Sequence, residues 1–149
     1  MDKIVIFGNG KISELAEYYF RTDSKYKVVA FTADEEYIKR DTFCKLPLIG
    51  FNDIINKYPP KEFKMFIGLS YSNMNKIRAE KYFKAKELGY RLVSYVSSKC
   101  TFLTENSVGD NCFILEDNTI QPLVKIGNNV TIWSGNHIGH ESVIEDHCN

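Results

Sequence analysis

Val108, Ile114, Ile120, Ile126, Ile132, Ile138 and Ile144 follow one another at an unbroken six-residue interval, and Phe102 extends the series one step back. A helix returns its buried face about every 3.6 residues and a strand every two, so a sustained period of six fits neither element alone and predicts a stacked coil. From Val108 the chain reads VGDNCF, ILEDNT, IQPLVK, IGNNVT, IWSGNH, IGHESV, IEDHCN. The fifth positions, Cys112, Asn118, Val124, Val130, Asn136, Ser142 and Cys148, are small, apolar or amide and are expected to share the interior with the aliphatic ladder. Blocks three apart resemble one another, as VGDNC, IGNNV and IEDHC do. Three short strands per coil make a triangular prism, the pattern of a left-handed β-helix, whose hand departs from the usual crossover rule. Gly109 and Gly127 then suit corners with unusual backbone angles. A β-sandwich also has short strands, but its turns keep no fixed period.

The ladder stops at Asn149 inside a repeat, a little under three coils from Phe102, and nothing in its last residues reads as a cap. A solenoid whose last coil is bare presents raw strand edges, so this ending predicts an N-terminal fragment or a truncated gene product.

Residues 1–97 read differently. Apolar runs at 3–7, 27–31, 63–69 and 91–96 alternate with helical patterns at 12–20, 51–58 and 74–88. In the first helix Ile12, Leu15, Ala16, Tyr19 and Phe20 fall near one face; in the last, Ile77, Lys81, Lys84 and Leu88 mark the turns, with Gly89 as its stop. Alternation of this kind predicts a small Rossmann-like parallel sheet, so the fold class is α/β plus β: a sheet domain over 1–97 and a partial left-handed β-helix over 98–149. Nineteen basic and nineteen acidic residues balance, which gives no whole-chain field toward nucleic acid or an anionic membrane. The first apolar run is too short for a signal core or a membrane span, so the expected compartment is the cytoplasm and the four cysteines are expected as free thiols.

Ligands of such sheets bind beyond the carboxyl ends of the strands. Gly8-Asn9-Gly10 precedes a helix N-terminus, where free N–H groups favour phosphate, although Ser13 stands where a dinucleotide fingerprint has its third glycine and a plain tight turn explains the motif equally. Gly68 and the loop to Asn73 lie at an equivalent strand end. Asp34 suits a ribose or base edge, or only a solvated acidic loop, and Lys11 and Arg78 suit phosphate charge. The three histidines, His137, His140 and His147, fall in the last blocks; His140 beside Glu141 is the best general base, while His137 and His147 also read as solvated strand positions. Convergent metal ligation is disfavoured because alternate strand residues point to different faces.

These features together, the GxG unit, Ile67-Gly68, the loop with Asn73, Arg78 on the following helix and Asn136-His137-Ile138-Gly139-His140-Glu141-Ser142, resemble the bacterial sugar O- and N-acyltransferases. The resemblance implies an N-terminal domain for a UDP- or dTDP-linked sugar, a homotrimeric β-helix, and acetyl-coenzyme A between coils of adjacent subunits. It implies His140 as base with Glu141 beside it, Gly8, Asn9, Gly10, Lys11, Asp34, Gly68, Asn73 and Arg78 toward the nucleotide-sugar, and His137 and Asn149 toward the coenzyme, with no metal. Lys11-Ile12 departs from the family's glycine-rich turn followed by histidine. The competing expectation is a module that binds a nucleotide-sugar and uses a short β-helix only to oligomerise.

Overall fold

The computed structural model describes residues 1–149. Its N-terminal half contains β1 (Asp2–Phe7), α1 (Lys11–Thr22), β2 (Tyr26–Ala33), β3 (Thr42–Phe43), β4 (Leu46–Gly50), α2 (Ile54–Lys57), β5 (Lys64–Ile67) and α3 (Lys76–Glu87). The strands form one sheet of order β3-β4-β2-β1-β5, parallel except for β3. Helices cover both faces, so β1 and β5 are buried on both sides, and this is why they read as continuous apolar runs. The order reverses between β1 and β5, which opens a crevice past Phe7 and Ile67.

Two expectations about this half change. The β3–β4 hairpin has no counterpart in the sequence reading, because Pro47 interrupts its apolar pattern and its turn, Cys44-Lys45, takes φ of 50° and 64° without a turn-forming residue. The segment 91–96 does not form one closing strand. Leu92 bridges Met65 beside β5, whereas β6 (Tyr95–Val96) has already joined the coils.

The remaining strands are β7 (Thr101–Phe102), β8 (Phe113–Ile114), β9 (Thr119–Ile120), β10 (Lys125–Ile126), β11 (Thr131–Ile132), β12 (His137–Ile138) and β13 (Val143–Ile144). They stack in parallel as β6-β8-β11, β7-β9-β12 and β10-β13, with Tyr95 on Phe113 on Thr131 and Thr101 on Thr119 on His137. Each partner lies eighteen residues on, as the ladder predicts, and Ile114, Ile120, Ile126 and Ile132 pack with Cys112, Val124 and Val130 inside the prism. Inward placement weakens in the last coil: Ile138 and Ile144 are half-buried, and Asn136 and Cys148 are exposed.

The corner angles are not carried by Gly109 and Gly127. Left-handed backbone recurs instead at Asn111, Asp117, Leu123, Asn129, Gly135, Glu141 and His147, the fourth position of every block. Gly109 and Gly127 answer to crowding: a Cβ on Gly109 would lie 2.3 Å from the Gly127 carbonyl oxygen, and one on Gly127 would lie 2.3 Å from Asp146 Oδ1.

The two halves share a core. Phe113 points out of the prism yet is buried, with its ring 5.5 Å from Phe66, 5.8 Å from Tyr19 and 5.7 Å from Tyr95. The sheet domain therefore sits on the face built by β6, β8 and β11 and holds both corners that flank it. On one, Asn111 Oδ1 accepts from the Ile67 N–H (2.7 Å); on the other, Asp23 Oδ2 accepts from Tyr95 Oη (2.7 Å) and the Ser98 N–H (2.9 Å). The third corner, at Pro122-Leu123 and His140-Glu141, makes no hydrogen bond or ion pair to the N-terminal half.

Candidate functional site

Sheet topology brings the two glycine turns together. Gly8 has φ of 125°, and a Cβ there would lie 2.7 Å from the Gly68 carbonyl oxygen, so both strand ends close up only with glycine. Past them lies a cavity of about 300 Å³ lined by Asn9, Gly10, Lys11, Gly68, Ser70 and Ser72 among others. Gly10 caps α1: its N–H donates to Ser13 Oγ (2.9 Å), and Ser13 Oγ donates back to its carbonyl (2.8 Å). Ser13 is thus the buried residue that lets α1 start here, with Gly10, Lys11 and Ile12 on the cavity rim.

The other residues expected on this rim divide. Lys11 lines the cavity, with Nζ 3.3 Å from Glu14. Asn73 lies on the loop beside it, in a left-handed run with Met74 and Asn75 (φ 53°, 51° and 66°). Asp34 borders neither this cavity nor the next; Lys81 Nζ approaches its carboxylate to 2.8 Å, and the same ammonium lies 5.6 Å from the Phe7 ring centroid.

Arg78 departs furthest from expectation. It is 2% exposed and points away from the cavity into the coils, where Nη1 donates to Thr131 Oγ1 (2.7 Å) and Nη2 to the Asn129 and Cys148 carbonyls (2.8 and 3.0 Å). Burial pulls its pKa below the usual value, yet a guanidinium stays charged at any physiological pH. The buried face of α3 is Arg78, Tyr82 and Ala85, not the line through Ile77, and Tyr82 Oη and Lys86 Nζ both reach Asp110 (2.5 and 2.8 Å). This helix fastens the halves.

The three histidines diverge. His137 is exposed on β12. His147 ends a column along one corner: Asn111 Nδ2 donates to Asn129 Oδ1 (2.8 Å), Asn129 Nδ2 lies 2.8 Å from His147 Nδ1, and Asn75 Nδ2 donates to the His147 carbonyl (2.9 Å). Its ring packs edge-on against Tyr82 and Phe83. Its place is therefore a corner against α3, not an outer strand face. Asn149 Oδ1 accepts from Trp133 Nε1 (2.9 Å).

His140 stands on the free corner, with Nδ1 3.3 Å from Glu141 Oε1 and the two side chains 72% and 68% exposed. Left-handed backbone at Glu141 (φ 64°) turns adjacent side chains to the same side, and Gln121 Oε1 fixes the corner by accepting the His140 N–H (3.0 Å). A carboxylate on Nδ1 leaves Nε2 free to take a proton. No motif marks Gln121, which stands in the largely apolar block IQPLVK, or Tyr37, whose carbonyl accepts from Asn9 Nδ2 (2.9 Å).

A second and larger cavity, about 570 Å³, adjoins the first across Asn9 and Tyr37 and reaches the β3–β4 hairpin. Burial pushes the Cys44 thiol there up, so it stays neutral.

No protein-family model matches the chain, and no curated protein matches it in sequence. Solved structures do. The acetyltransferase domain of PglB from Neisseria gonorrhoeae FA1090, in complex with acetyl coenzyme A, superposes with a TM-score of 0.82 at 17% identity, covering 97% of this chain and 68% of that one. The chain has the fold of that acetyltransferase domain. A histidine-to-asparagine variant of perosamine N-acetyltransferase from Caulobacter crescentus, in complex with CoA and GDP-perosamine, gives 0.80 at 16% identity over 99% of this chain and 68% of that one. WeeI from Acinetobacter baumannii AYE gives 0.76 at 19% identity, covering 97% and 68%. No helix is long and apolar enough to cross a membrane.

Proposed function

We propose that this chain is a sugar acetyltransferase that moves an acetyl group from acetyl-coenzyme A to an amine or hydroxyl of a nucleotide-linked sugar. The observation that carries the reading is the His140–Glu141 pair on the outward corner of a coil, in a chain whose other half has a glycine-lined crevice at its strand ends. The PglB domain holds acetyl coenzyme A and the Caulobacter enzyme holds CoA with GDP-perosamine, which supports the same pair of ligand classes here. A UDP-, dTDP- or GDP-linked acceptor fits this reading.

In the proposed step the acceptor lone pair attacks the thioester carbonyl while His140 Nε2 takes the acceptor's proton. Glu141 holds the tautomer and stabilises the imidazolium. Collapse expels the coenzyme A sulfur, which receives the proton from His140. Backbone N–H groups at a corner are suited to the oxyanion.

The placement of the base supports a homotrimer. The sheet domain covers one prism face and its two corners, and His140 is on the third corner. In this reading the acceptor bound by one subunit meets the base of its neighbour. The exposed Leu103 and Val143 near the free corner suit a subunit contact. A Rossmann-like sheet and a left-handed coil are the finer forms of the fold that go with it.

The test is acetyl transfer to UDP-, dTDP- and GDP-linked 4-amino-sugars. His140→Gln is expected to lower kcat by about a hundredfold or more with an unchanged thermal midpoint, the usual size of a general-base contribution. Unaltered turnover in that variant removes His140 from the mechanism. Binding of nucleotide-sugar without any binding of coenzyme A favours the binding module.

A further inference from the structure

The larger cavity is cationic in a way that the rest of the crevice is not. Lys39, Arg40 and Lys45 line it and none makes an ion pair, while its one carboxylate, Glu14, faces Lys11. No sequence motif singles out these three cations, and no local turn signal announces the hairpin that carries Lys45. The left-handed turn at Cys44-Lys45 folds β3 back on β4 and so places Lys45 on the same rim as Lys39 and Arg40. Solvated cations normally scatter over a surface; here two lysines and an arginine flank one concavity whose lining also includes Phe43 and Leu48.

Resting on the nucleotide-sugar reading above, we infer that the hairpin cavity holds the nucleoside diphosphate end of the acceptor and the glycine cavity holds the sugar that is acylated. Charge decides the orientation. An acceptor amine is repelled by a cationic rim, whereas a diphosphate is attracted to it. Asn9 and Tyr37 border both cavities, and the α1 N-terminus at Gly10 and Lys11 lies on the glycine-cavity side of that boundary, so its N–H groups suit the phosphate nearest the sugar. The glycine cavity is bordered by Ser70 and Ser72, hydroxyls suited to a polyol, and the chain runs on from them to Asn75, which is bonded to the coils at His147. The sugar end thus lies on the side from which the loop continues to the β-helix.

The experiment is calorimetric titration of the 149-residue chain with UDP, dTDP and GDP in turn, and with uridine as the uncharged probe. Lys39→Ala/Arg40→Ala/Lys45→Ala is expected to lose at least about tenfold in affinity for the diphosphate that the parent binds best, since a few partly exposed charge contacts together reach that size. Its salt dependence should flatten, uridine should bind parent and variant alike, and Lys25→Ala, a cation at the opposite end of the sheet, should change nothing. An unchanged thermal midpoint assigns the loss to the rim, and Lys45→Glu, expected to bind more weakly than Lys45→Ala, gives an independent measure. Equal diphosphate affinity in parent and triple variant overturns the inference and leaves the nucleotide-sugar reading standing. A parent that binds none of the three diphosphates overturns that reading, and this inference with it.

Discussion

Left-handed backbone at the fourth position of every hexapeptide places a specific demand on single residues. An ordinary L-residue pays about 1–2 kcal/mol for that conformation, and Asn, Asp and Gly much less. Asn111, Asp117, Asn129 and Gly135 meet the demand cheaply, whereas Leu123 and Glu141 do not. Leu123 is 62% exposed, so its side chain returns little burial for the strain. Leu123→Asn should therefore stabilise the chain by about 0.5–1 kcal/mol and raise its melting temperature by about 2–4 °C. Thermal denaturation followed by circular dichroism checks this, and a lower midpoint would mean that Leu123 packs against something in solution. At Glu141 the same strain has a different meaning, because it sets the carboxylate beside His140 Nδ1. The aliphatic ladder was legible because each rung reports its own inward place. The corner column was written as plainly, in the fourth letters N, D, L, N, G, E, H, but Leu123 and Glu141 hid a rule that glycine at the second position seemed to state better.

At the scale of elements, α3 illustrates why a sequence pattern can be read correctly and its function missed. The helix is where the apolar and polar periodicity put it, with Gly89 closing it at φ of 97°. Its buried face nevertheless runs through an arginine, and a basic residue on a short helix reads as solvated. Only the docked coils reveal that Arg78 satisfies the Asn129 and Cys148 carbonyls and the Thr131 hydroxyl. Removing it strands buried acceptors, each at about 1–3 kcal/mol. Arg78→Ala should accordingly cost about 3 kcal/mol or more in urea denaturation, with nucleotide affinity retained by the folded fraction. A variant with parental stability but lost nucleotide affinity would instead return Arg78 to the substrate site. The β3–β4 hairpin is the converse case. Cys44-Lys45 adopts a turn for which neither residue has a preference, so no local signal announced the element that lines the cationic cavity.

At the scale of the molecule, the halves are joined through groups whose charge state matters. Hydrogen bonds from the Ser98 N–H and the Tyr95 hydroxyl hold the Asp23 carboxyl below its usual range. The Ser134 and Tyr19 hydroxyls do the same for Glu116, which ties α1 to the neighbouring corner. A carboxylate with a depressed folded pKa takes up its proton more readily when unfolded. Its stabilisation is therefore complete above the ordinary carboxylate range of about pH 4 and is lost as pH falls through the depressed value. Because both groups lie on the α1 side of the junction, acid should loosen that side while leaving the apolar stack of the prism, which has no carboxylate or imidazole among its members, in place. The expected outcome is a melting temperature that is flat from about pH 8 to pH 5 and declines below about pH 4. Asp23→Asn/Glu116→Gln should melt lower at neutral pH and decline less in acid. Parallel acid profiles for parent and variant would place the acid sensitivity elsewhere. Phe113 supplies the control: Phe113→Ala removes the ring shared by the two cores and should cost about 3–5 kcal/mol at pH 7 and at pH 4 alike, because no charge is involved.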